Sequence, residues 1–161
     1  MELVTIFSKR QVLYSKFHNI KEATKGVKLP SGYSIVCLFM NDFDFQNTEL
    51  KRFFTKILRQ GGVYFVVHGR HCSRVHDLID FVFVKGVKGK FEEDGIIMTT
   101  WHDNEKEEEV VWFALNVAFP DDKFFDTWNS ICFIEFSNET KSTKVEKLLS
   151  HVKSCEPTNC K

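Results

Sequence analysis

Val63-Tyr64-Phe65-Val66-Val67, then His68-Gly69-Arg70-His71, then Cys72-Ser73-Arg74-Val75-His76-Asp77-Leu78-Ile79-Asp80-Phe81-Val82-Phe83: an apolar run, a polar turn and an amphipathic helix follow one another. The same unit recurs. Residues 34–40 lead through 41–47 into 48–60, residues 96–100 through 101–104 into 105–119, and residues 131–136 through 137–140 into 141–154. Strand-length apolar runs alternating with helices argue for a parallel sheet covered by helices. The expectation is one α/β domain over residues 1–161, Rossmann-like or flavodoxin-like, with a mostly parallel sheet of four or five strands and helices on both faces.

Within this pattern the helix at 48–60 is written most clearly. Leu50, Phe53, Phe54, Ile57 and Leu58 make one apolar stripe, Asn47 can cap its start, and Gly61-Gly62 can end it. The last helix has the face Val145, Leu148, Leu149 and Val152, and Thr143 and Glu146 stand at capping-box spacing. The helix from Glu105 differs: Val110-Val111-Trp112-Phe113-Ala114-Leu115 is apolar almost all round, which predicts either cover on both sides or an interface. Burial is expected for Phe53, Phe54, Ile57, Val111, Leu115, Leu148 and Leu149. Residues 1–30 allow two readings, a hairpin of 3–7 with 12–14 about Ser8-Lys9-Arg10, or a short helix with Leu13, Phe17 and Ile20 on one face. The run Lys85-Gly86-Val87-Lys88-Gly89-Lys90, followed by Glu92-Glu93-Asp94-Gly95, reads as a solvated charged loop, and residues 155–161 as a tail.

Composition limits function. The 161 residues carry 22 basic and 22 acidic side chains, whereas a nucleic-acid binder normally needs a basic surplus to displace counterions. No direct nucleic-acid role is expected. No basic leader precedes the first apolar stretch, and no run reaches membrane-span length, so no membrane association is expected. Cys37 and Cys132 fall inside strands as small buried hydrophobes, and Cys155 and Cys160, which flank Glu-Pro-Thr-Asn in the tail, read as exposed thiols in preference to a ligand pair or disulfide. A reducing cytoplasm fits this usage. The 17 Phe signal an aromatic core or an aromatic docking surface.

In an open parallel sheet, ligands bind beyond the carboxyl ends of the strands. That edge is expected to collect Asp42 and Asp44, His68 and His71, Thr99, Thr100, His102 and Asp103, then Ser137 and Asn138. For an enzyme, Asp42, Asp44, His68, His71 and His102 are the candidate acid–base or metal groups. The same residue types also cap helices. Cys72, at a helix start beside Arg70 and Arg74, could be an activated thiolate or a buried structural thiol. No zinc spacing and no phosphate-cradling glycine loop occurs, so neither metal nor cofactor is expected.

The stretch Ile35-Val36-Cys37-Leu38-Phe39-Met40-Asn41-Asp42-Phe43-Asp44 resembles the strand and Asp-x-Asp signature of haloacid-dehalogenase-type phosphatases, with Thr99 or Thr100 similar to their second motif. The resemblance implies Asp42 as nucleophile and Asp44 as acid/base. It departs in the two residues between strand and Asp42, and in Asp121-Asp122 following a helix instead of a strand.

Asp103-Asn104-Glu105-Lys106-Glu107-Glu108-Glu109 concentrates carboxylates at a helix start, where the macrodipole favours them. With Trp101 and Trp128 they also form a candidate docking patch for a basic partner. A small, neutral, stand-alone domain of this kind resembles in type the cytosolic immunity proteins of bacterial toxin systems, contact-dependent inhibition among them. The resemblance implies a non-catalytic cytoplasmic protein that blocks the active site of one cognate toxin. Nuclease toxins are often basic and would suit an acidic surface of Asp103, Glu105, Glu107, Glu108 and Glu109.

Overall fold

A computed structural model describes residues 1–40, 47–87, 95–140 and 142–152 of the chain. The N-terminal segment is the hairpin, not the helix: β1 (Glu2–Phe7) and β2 (Arg10–Phe17) pair antiparallel about Ser8 and Lys9. Both turn residues have positive φ, 49° and 68°, the geometry of a two-residue type I′ turn. Helix α1 (Ile20–Gly26) follows, with the Asn19 side chain accepting from the Glu22 backbone N–H at 2.9 Å. The strand–helix units come next: β3 (Tyr33–Phe39), α2 (Asn47–Arg59), β4 (Gly62–His68) and α3 (Cys72–Val82), which runs into one π-helical turn at Phe83–Val87. After these come β5 (Met98–His102), α4 (Glu107–Asn116), the short α5 (Asp122–Phe125), β6 (Trp128–Phe136) and α6 (Lys144–Val152).

The six strands among the described residues share one sheet in the order β1-β2-β6-β3-β4-β5, parallel except at β1. This exceeds the expected four or five because both hairpin strands join it. The order also departs from both common doubly wound arrangements, since the last strand is inserted between β2 and β3 instead of extending an edge. The steps β2 to β3, β3 to β4 and β4 to β5 all advance in one direction, and α1, α2 and α3 pack on one face. The return from β5 to β6 runs backwards, and a right-handed crossover then requires the other face, where α4 and α6 lie.

Side-chain alternation builds the two cores. Val36, Leu38, Phe65 and Val67 face α2 and α3, whereas Ile35, Cys37, Phe39 and Phe133 face α4 and α6. Strand β4 is buried throughout, as a central parallel strand should be. Helix α2 buries all five residues of its stripe. It ends at Gly61, whose φ of +98° and close approach to the Gly32 carbonyl leave no room for a Cβ. Asn47 lies inside the helix as its first residue. Helix α4 is not covered on both sides. Val110, Val111 and Ala114 face the sheet, Leu115 is half-buried, and Trp112 is 60% exposed, because α4 is an outer layer with solvent beyond it. Leu148 is likewise half-buried on α6.

Candidate functional site

Strand β4 leaves the sheet towards α3 on one face, and its neighbour β5 leaves towards α4 on the other. Their carboxyl ends are therefore a switch point of the topology, the place where such sheets bind ligands. The sheet register sets His68 opposite His102 there. His68 Nδ1–H donates to the His102 carbonyl oxygen at 2.9 Å, which fixes its ring. His102 is held at both ring nitrogens, Nδ1 at 3.2 Å from Glu105 Oε1 and Nε2 at 3.3 Å from Thr100 Oγ1, and its ring lies 4.7 Å from Phe113.

Beside this pair the first turn of α4 presents its carboxylates. The Lys106 backbone N–H donates to Glu109 Oε2 at 2.8 Å, as in a capping box. Lys144 at the start of α6 bridges Glu107 and Glu108, its Nζ 3.1 and 2.9 Å from their oxygens. Partial desolvation pushes the Glu105 carboxyl up, but backbone N–H donors and His102 outweigh it and hold it below the usual carboxylate range. Lys144 and a backbone N–H hold Glu108 low as well. These groups are anionic at neutral pH. His102, Glu105, Glu108, Glu109, Trp112 and Phe113 line a groove of about 530 Å³. Carboxylates beside an exposed indole make a receptor for a cation.

The remaining expected site residues scatter. His71, in the left-handed region at φ 67°, precedes α3 without a side-chain cap and lies on the loop that leads to the opposite face from α4. Cys72 is buried, and desolvation pushes its thiol up, the reverse of an activated nucleophile. Thr99 Oγ1 donates to Asp80 at 3.0 Å. Asp42 and Asp44 lie outside the described residues. Of the candidate catalytic set, His68 and His102 are thus brought together. Among the described residues no group of three or more His, Cys, Asp or Glu is placed to hold a metal ion.

The aromatic part of the candidate patch needs two corrections. Trp101 is 50% exposed, but it lies on β5 and not in the turn after it, and its ring packs on His76 of α3 at 4.7 Å. Alternation along β5 puts it on the opposite sheet face from the α4 groove. Trp128 is only 5% exposed and opens β6, opposite Tyr33 at the start of β3. In a parallel sheet that is the far end from Trp101, so the two indoles share no surface. Arg10 and the α5 turn bury Trp128, contacts that no local pattern announces. Trp112 was hidden inside an apolar run. Its i, i+4 relation to Glu108, and that of Phe113 to Glu109, are the signals that place aromatics and carboxylates on adjoining stripes of the helix. Asp103 is exposed and accepts from its neighbour Asn104 at 2.9 Å.

Among the described residues no helix is long and apolar enough to cross a membrane. No curated protein matches the chain. A sequence-family model described as a domain of unknown function (DUF7684) matches residues 16–152, from the last two residues of β2 to the end of α6. The chain belongs to this DUF7684 family.

Proposed function

We propose that the chain is a non-catalytic protein-binding domain, an immunity-type protein of the bacterial cytoplasm that neutralises a basic cognate toxin by covering its active site. A nuclease is the kind of toxin that an acidic docking surface matches best. One observation carries the reading: Glu105, Glu108 and Glu109 share a groove with Trp112 on an outer helix. Long-range attraction from the carboxylates speeds encounter, and the aromatic anchor slows departure.

Growth rescue tests it. In cells producing the cognate toxin domain, co-expression of the wild type restores growth. The pair Glu105→Lys with Glu108→Lys, folded by circular dichroism, loses the rescue and the salt dependence of association. No rescue by the wild type overturns the immunity reading, and rescue indifferent to the reversals moves the docking surface elsewhere.

The adjacency of His68 and His102 at the carboxyl ends of β4 and β5 supports a second reading, a small hydrolase or phosphoryl-transfer enzyme. Turnover of an aryl phosphate or ester by the wild type, lost in both His68→Ala and His102→Ala, would establish it. Turnover that survives both changes, or none by the wild type, removes it.

A further inference from the structure

We infer that the groove beside α4 is a receptor for one arginine side chain presented by the partner. This rests on the protein-docking reading and names the chemistry of its central contact. Trp112 is 60% exposed and forms one wall of the groove together with Phe113. A planar guanidinium stacks on an indole face while its edge N–H groups stay free to donate in the plane. Acceptors line the same groove. Glu109 uses Oε2 on the Lys106 backbone N–H, and no partner is found for its Oε1 among the described residues. Glu105 is turned by His102 and by the Asn104 N–H, which hold its carboxylate in place.

Lysine fits less well. An ammonium is a compact, strongly hydrated point charge that cannot stack and bridge carboxylates together. The chain already supplies one to this helix: Lys144 sits between Glu107 and Glu108 at the α6 side. The stripe of Glu105, Glu109 and Trp112 is left for a flat cation. A phosphate-bearing or acidic partner is disfavoured at a surface of ionised carboxylates.

The probe is a capped Gly-Arg-Gly peptide, with its citrulline and lysine counterparts, titrated at low salt against ¹⁵N-labelled protein. The readout is the indole Nε1–H resonance absent from the Trp112→Phe spectrum. The arginine peptide shifts it saturably, citrulline does not, and lysine binds more weakly. Glu109→Gln, which retains an oxygen for the Lys106 N–H, weakens arginine binding by roughly threefold to tenfold, and Trp112→Ala does so to a similar degree. Equal response to citrulline or lysine, or binding unchanged in both variants, overturns the inference. Failure here with growth rescue intact removes the pocket and leaves the immunity reading. Arginine binding without rescue does the opposite.

Discussion

The guanidinium of Arg10 lies 3.6 Å from the centroid of the Trp128 ring, joining the first residue of β2 to the first residue of β6. The indole N–H donates to the Ser130 carbonyl at 2.9 Å, and half-exposed Phe119 and Phe125 pack on the same ring at 5.9 and 6.4 Å. Burial pushes the Arg10 pKa below its ordinary value, and its Nε is buried without a hydrogen-bond partner among the described residues. The π-face therefore supplies much of what stabilises this charge. Arg10→Ala should cost about 1–2 kcal/mol in denaturant unfolding followed by tryptophan fluorescence. Arg10→Lys should recover little of it, because an ammonium does not stack. Wild-type stability in both variants would reduce the stack to a surface ornament.

Phe54 has no exposed surface and packs edge-on against Phe53 and Phe65, with centroids 5.4 and 6.3 Å away. Phe54→Ala removes a ring between α2 and the sheet and leaves a cavity that the flanking aromatics cannot fill. A loss of about 3–5 kcal/mol is expected in urea unfolding. A loss below 1 kcal/mol would mean that α2 is loosely seated.

Ser8 and Lys9 both hold positive φ in the β1–β2 turn, a conformation that L-residues with a Cβ disfavour. Lys9→Gly should therefore stabilise the protein, by about 0.5–1 kcal/mol after the extra freedom of the unfolded chain is subtracted. Lys9→Val should destabilise it. The order of the two midpoint temperatures checks the turn geometry directly.

The Tyr14 hydroxyl and the Thr143 hydroxyl both donate to the buried Glu135 carboxylate, at 2.7 and 2.6 Å. Desolvation nonetheless dominates and raises the Glu135 pKa above its ordinary value, with Thr143 and Tyr14 opposing. The folded state then holds the proton more tightly than the unfolded one. This residue's contribution is most favourable below the ordinary carboxylate pKa and declines as pH rises from there through the raised folded value. Above that value it is constant. The stability of the wild type minus that of Glu135→Gln should fall across this window. Parallel stability curves for the two proteins would show that burial is compensated in full.

Much of the fold was legible because its signals are local. The α2 stripe and the apolar runs of β3, β4 and β6 each state their period and their degree of burial. Strand order is not local: nothing in the Trp128–Phe136 segment announces that it enters between β2 and β3. Residues 1–30 stayed ambiguous because Leu13, Phe17 and Ile20 fit a helical face as well as their true places on β2 and α1. At the site, the strand register that brings His68 beside His102 follows from alternating strands and helices. Exposure does not. Trp112 and Trp128 both sit beside apolar residues in the sequence, yet one faces solvent and the other is covered by Arg10, a residue remote along the chain.

The position of β6 sets assembly against synthesis. Apart from its hairpin partner β1, β2 has no neighbour among the described strands but β6, to which it pairs from Gln11 with Ser130 through Phe17 with Phe136. The hairpin leaves the ribosome well before β6, yet it has no sheet to join until β6 has followed. Through that interval β3 carries an uncovered edge, with Ile35, Cys37 and Phe39 along it, of the kind that recruits stray strands. The hairpin, made before the rest of this sheet, is seated last, and the closing strand is the one that joins two separate halves.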